Sequence, residues 1–137
     1  MSKFSVDHLG IAVKSLAEAR KFYEQLGMKV MGEEVVEHER VKVAMIPVGE
    51  SRIELLEATS DDSPIARFIS KRGEGLHHVS LHVVDLPDTV ERLKKSGTRF
   101  VSDEIKIGAG GHAYVFVHPS SAGGVLVELC EDPPKGV

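Results

Sequence analysis

The sequence predicts an α+β fold built from two βαβββ modules, on three observations. Residues 75–83, GLHHVSLHV, alternate: His77, Val79, Leu81 and Val83 fall on one face of a strand and His78, Ser80 and His82 on the other. Residues 7–13, DHLGIAV, repeat the design, with Leu9, Ile11 and Val13 opposed to His8, Gly10 and Ala12. An offset of 70 superposes His8 on His78, Val13 on Val83, Leu16 on Leu86 and Gly27 on Gly97 without a gap. An offset of 74 superposes IELLE, 53–57, on VELCE, 127–131. The same order of elements in both halves marks an internal duplication.

Residues 4–13 open as a strand. Ser15 stands three residues before Glu18, a capping-box spacing, and Leu16, Ala19, Phe22, Tyr23 and Leu26 follow at helical intervals up to Gly27. That apolar stripe, Phe22 included, is expected to pack on the sheet. Residues 28–37, 41–48 and 51–57 read as three strands, the last two joined by a Gly49-Glu50 turn. Module one therefore spans about 4–58. Residues 60–75 begin with turn residues and carry Ile65, Phe68 and Ile69 at helical spacing before Gly73, which predicts a linker helix over about 62–73. Module two covers about 75–131. It has a strand at 76–84, then a helix capped by Asp85 and Asp88 with Leu86, Val90 and Leu93 on its apolar side. Gly97 ends that helix, and strands follow over 100–105, 113–118 and 124–131. At 137 residues the chain is read as one domain, 1–137, long enough for a substantial core.

The bulk composition excludes several functions. A net charge of −4 and the lack of a long Lys/Arg run argue against nucleic-acid binding. No window reaches the length of a membrane span, and MSKFSVDHLG lacks an apolar signal core. One cysteine, Cys130, cannot form an internal disulfide. The expected setting is the cytoplasm, with no nucleic-acid or membrane partner.

Duplication places His8, Glu54, His78 and Glu128 at corresponding positions, one His and one Glu per half. Ile53 and Leu55 flank Glu54, and Val127 and Leu129 flank Glu128, so each Glu faces away from its apolar neighbours. Unpartnered carboxylates there are costly to bury, and a shared divalent cation resolves the cost. Imidazole with carboxylate suits Zn, Co, Ni, Mn or Fe better than Ca or Mg. The competing reading is a solvated outer face for the two Glu and ordinary strand positions for the two His.

On these residues the chain resembles the vicinal-oxygen-chelate superfamily. Within it, DHLGIAV, IELLE, DSPIARFISKRGEGLHHV and HPSSAGGVLVELCE are similar to the methylmalonyl-CoA epimerase family, from about residue 5 to 131. The resemblance implies two modules forming a cupped mixed, mostly antiparallel sheet around one metal site. It implies epimerisation of methylmalonyl-CoA at C2 through a metal-stabilised enolate, an acyl-CoA substrate and a homodimer. By position the ligands fall on His8, His78 and Glu128, with the fourth on Glu54, where some relatives have Gln. The expected cofactor is one divalent transition metal, Co, Zn, Mn or Ni, and the placement of Glu128 makes it the candidate base as well as a ligand. Two other readings use the same frame: a glyoxalase-type lyase acting on a glutathione hemithioacetal, and a small-molecule-binding module of the resistance-protein type. Four intact ligand positions argue against the second, and the linker and C-terminal runs favour the epimerase.

One departure from the family stands out. Some epimerases carry a Glu in the third strand, assigned as a catalytic base, and the matching residue here is Val43. Valine cannot move a proton. Glu37, Glu39 and Lys42 are the nearby substitutes by sequence. His77 reads as a packed histidine, His38 as a loop residue and His118 as a turn contact before Pro119. His82 lies about 13 Å beyond His78 along a strand, too far to share its metal. The run Gly108-Ala109-Gly110-Gly111 lacks the helix of a dinucleotide fingerprint and reads as a tight loop. Lys71 and Arg72 read as a solvated helix end.

Overall fold

The computed structural model describes residues 4–133. These divide into two compact units, one from His8 to His77 and one from His78 onward that includes the chain up to Asp7.

Module one contains β1 (Ser5–Ala12), α1 (Leu16–Leu26), β2 (Met31–Val36), β3 (Val41–Val48) and β4 (Ser51–Ala58), followed by the linker helix α2 (Pro64–Arg72). Its strands lie in the order β2-β3-β4-β1. β2, β3 and β4 pair antiparallel, whereas β1 pairs parallel to β4 with Gly10 opposite Glu54. A parallel pair needs a long crossover, and α1 with β2 and β3 supplies it. The predicted caps are present: Ser15 Oγ accepts the Glu18 N–H, and Gly27 closes α1 in the left-handed region at φ 101°. Ser63 Oγ accepts the Ile65 N–H to start α2, with Pro64 in its first turn.

The core of module one joins Val13, Leu16, Ala44, Ile46 and Leu55 to Ile11, Ala19, Tyr23 and Ile53. Phe22 is not part of it. Its ring is 64% exposed and meets Tyr23 edge-on at 5.2 Å, so the expected packing of Phe22 on the sheet is corrected. Ala19 and Tyr23, four residues apart, take the inward stripe, and Phe22 sits about 100° around the helix from Tyr23. The strand expected over 28–37 is also shorter. Met28 and Val30 pack on the core ahead of β2, and Glu37–Glu39 turns as a single 3₁₀ unit before Arg40 at φ 51°.

Module two repeats the scheme with β5 (Gly75–His82), α3 (Leu86–Lys95), β6 (Lys106–Ile107), β7 (Ala113–Val117) and β8 (Val127–Glu131). The strand order is β5-β8-β7-β6, the order of module one read from its matching strands. β5 runs parallel to β8 with Ser80 opposite Glu128, reproducing the relation of Gly10 to Glu54. Asp85 caps α3 by accepting the Asp88 N–H. Val83, Leu86, Val90, Val115, Val117 and Leu129 form the core, with Leu81 and Leu93 packed against it. The strand expected over 100–105 is reduced to one bridge between Phe100 and Val117. Ser102 Oγ accepts the Glu104 N–H instead, a local bond that competes with sheet pairing, and the ladder resumes only at β6. Among the described residues no helix is long and apolar enough to cross a membrane.

Candidate metal centre

Sheet register decides where each predicted ligand points. In β4, Leu55 pairs with Ala44 and joins the core under α1, so Glu54 faces the opposite side, between Met45 on β3 and Gly10 on β1. His8 shares that face of β1. His8 and Glu54 are 5% and 6% exposed, and His8 Nδ1 lies 3.4 Å from Glu54 Oε2. Arg52, two residues before Glu54 on the same face, donates its Nε–H to that oxygen at 3.1 Å.

Module two builds the equivalent pair. Glu128 lies between Ser80 on β5 and Phe116 on β7, while Leu129 enters the core under α3. His78 is buried with its ring edge-on to Phe116 at 5.2 Å, and His78 Nε2 is 4.0 Å from Glu128 Oε1. All four residues are buried, which excludes a solvated outer face for the two Glu.

The donor set fits a divalent transition metal. Both His–Glu separations exceed a hydrogen bond of about 2.7–3.2 Å. Two donors each about 2.0–2.2 Å from one cation stand roughly 3–4 Å apart, the range found in both modules. Imidazole nitrogen with carboxylate oxygen is borderline chemistry that suits Zn, Co, Ni or Mn.

Residues 7–116 match the model of the Glyoxalase/Bleomycin resistance protein/Dioxygenase superfamily. The mitochondrial methylmalonyl-CoA epimerase of Bos taurus is 41% identical over 126 residues, spanning 90% of this chain and 72% of the bovine protein. The chain belongs to the methylmalonyl-CoA epimerase family of that superfamily. An uncharacterized protein of Bacillus subtilis is 39% identical over 96% of this chain and 93% of its own length. The crystal structure of methylmalonyl-CoA epimerase from Mycobacterium tuberculosis matches at a TM-score of 0.89 and 36% identity, covering 95% of this chain and 89% of that one. A methylmalonyl-CoA epimerase in complex with methylmalonyl-CoA and NH4+ matches at 0.90 and 33% identity, over 97% of this chain and all of that one.

Around this epimerase-family centre the structure sorts the remaining polar residues. Val43 pairs with Leu56 on β4 and Glu34 on β2, so it lies on the Glu54 face. Lys42 lies on the opposite face with its Nζ 3.0 Å from Glu33, which removes it as a substitute base. Glu37, exposed, and Glu39, half-buried, sit in the 3₁₀ turn. Glu34, directly across from Val43, is a carboxylate that sequence reasoning missed, because only the register of β2 on β3 reveals its face.

His77 packs edge-on against Phe68 at 5.0 Å, and His118 Nδ1 accepts the Ser120 N–H in a turn. Arg72, exposed at the end of α2, lies over the Phe68 ring at 5.9 Å. Asp132 stands between two imidazoles, with His82 Nε2 at 3.3 Å and His112 Nδ1 at 3.6 Å. Asp7, His112 and Asp132 bring further potential ligand atoms together, but Asp132 is largely exposed and its contacts with the imidazoles read as ion pairs. Residues 108–111 form the expected tight loop, with Gly110 and Gly111 at positive φ. Cys130 is buried, accepts a hydrogen bond from the Ser80 hydroxyl at 3.3 Å, and is no nucleophile. Burial pushes its thiol up to about 12, the Asp7 and Glu128 charges add to the rise, and the Ser80 bond opposes it.

Proposed function

We propose that the chain epimerises methylmalonyl-CoA at C2, interconverting the R and S forms through an enolate. The observation that carries the reading is the buried His–Glu pair at the same register in each module, in a chain of the methylmalonyl-CoA epimerase family. His8, Glu54, His78 and Glu128 would hold one cation. When bound there, Co, Zn, Mn or Ni supplies Lewis-acid stabilisation of the charge that develops on the thioester oxygen.

The chain's own residues supply the proton chemistry. C2 of a malonyl thioester is acidified by two carbonyl groups, and a carboxylate within about 3 Å of its hydrogen, directly or through one water, is a competent base. Glu128 has that role in our reading. It takes the proton from C2, and return of a proton to the opposite face inverts the centre. Support comes from its burial beside His78 and from its match in position to the family's ligand.

The decisive experiment is deuterium exchange at C2 of methylmalonyl-CoA in deuterated water, with and without chelator. Exchange that stops on chelation and returns with Co²⁺ is expected. No exchange with this substrate, together with turnover of a glutathione hemithioacetal, would replace the reading with the lyase. A homodimer and a cytoplasmic setting complete the proposal; the lone buried Cys130 is compatible with a reducing compartment, and sedimentation velocity tests the dimer.

A further inference from the structure

We propose that Arg52 is a positioning residue of the metal centre: its guanidinium holds the Glu54 carboxylate in the orientation that meets the cation. This rests on the metal reading above and extends it to a residue outside the ligand set. Arg52 and Glu54 are two apart in β4 and share a face, and Arg52 is paired in register with His8 on β1. Its Nε–H reaches Glu54 Oε2 at 3.1 Å, and His8 Nδ1 faces the same oxygen at 3.4 Å. One carboxylate oxygen therefore lies between a permanent cation and an imidazole. Arg52 is itself four-fifths buried, where a charged pair keeps much of its electrostatic strength.

The 74-residue offset that carries Glu54 onto Glu128 carries Arg52 onto Leu126, so the two modules differ at this position. An outer donor of this kind fixes the ligand's orientation, and losing one costs about 10–100-fold in metal affinity or activity.

The test is a double-mutant cycle read by metal binding. Wild type, Arg52→Gln, Glu54→Gln and the double variant are titrated with Co²⁺ against a chromogenic chelator, and the visible absorption of bound Co²⁺ is recorded. Arg52→Gln is expected to weaken Co²⁺ binding about 10-fold or more and to shift the absorption bands. In the Glu54→Gln background, where the ion pair that orients the carboxylate is already gone, the same change should cost under about threefold. Arg52→Lys keeps the charge without the guanidinium fork and should recover part of the loss. Unchanged affinity and spectrum in Arg52→Gln, or an equal loss in both backgrounds, overturns the proposal. Thermal unfolding of each apo variant separates a folding defect from a binding one, and Arg52→Lys stands in if Arg52→Gln does not fold. His78→Ala serves as the control on the centre itself. If His78→Ala keeps full Co²⁺ affinity, the four-ligand reading fails and Arg52 falls with it; if only the Arg52 cycle is flat, the centre stands and Arg52 is structural.

Discussion

The Leu16 N–H donates to Glu57 Oε1 at 2.7 Å, tying the first turn of α1 to the end of β4 across 41 residues of sequence. Leu86 and Glu131 repeat the bond in module two at 3.4 Å. A carboxylate there satisfies an orphan donor and opposes the positive end of the helix. Glu57→Ala is expected to cost about 1–2 kcal/mol in urea unfolding. Glu131→Ala, which removes a longer bond, should cost less, and the reverse order would mean that bond length does not rank these caps.

Core and surface positions of module one should separate cleanly. Leu55, fully buried under α1, is expected to lose about 2–5 kcal/mol on change to Ala. Phe22→Ala should stay within about 1 kcal/mol, since its ring keeps most of its exposure. A large loss at Phe22 in a dilute sample would show that a partner surface covers it.

Glu128 can be tested as base and ligand separately. Glu128→Gln is expected to keep part of its metal by elemental analysis while C2 exchange falls about 10²-fold or more. Exchange that merely follows metal occupancy reduces Glu128 to a ligand.

Val43→Glu places a carboxylate on the Glu54 face, opposite Glu34. Exchange per bound metal should rise, at a stability cost of about 2 kcal/mol or more for burying a charge. Combining it with Glu34→Gln shows which of the two carboxylates reaches the substrate. If neither alters exchange, that edge of the sheet stands away from C2.

Glu33 receives Lys42 on one oxygen and Arg20 on the other, at 3.0 and 3.2 Å. The Lys42 hydrogen bond, with both positive charges, holds its carboxyl below the ordinary carboxylate range. A depressed folded-state pKa contributes stability that is present above the unfolded value and is lost as pH falls through the folded one. NMR titration should find Glu33 ionised to lower pH than a model glutamate, and Lys42→Gln should bring it back up. High salt should narrow the difference, because the group is exposed.

Much of this was legible because burial follows period. Alternation put His8 and His78 on the face away from Ile11 and Leu81, and the offsets of 70 and 74 aligned the ligands before any register was known. What escaped was whatever depends on pairing between distant strands. Arg52 reads in sequence as an ordinary surface arginine until its oxygen partner is located. Glu57 and Glu131 look like strand-end polar residues, and only the return of the chain makes them caps. Phe22 misled for the opposite reason: helical spacing identifies a stripe about 100° wide but not which edge of it the sheet covers.

In each module the His comes from the first strand and the Glu from the last, and the two strands lie side by side as a parallel pair. Such a contact closes a long loop, so its entropy must be met before the contact forms, and it is among the slow steps of folding. A ligand pair therefore exists only after its module has closed. Until then two carboxylates and two imidazoles travel on a solvated chain, able to take up metal in arrangements the native sheet does not permit. The register is equally unforgiving: a slip of one residue between β1 and β4 would turn Glu54 into the core beneath α1 and bring Leu55 out in its place. Supplying metal late in refolding, after the strands have paired, should then yield more loaded protein than supplying it from the start.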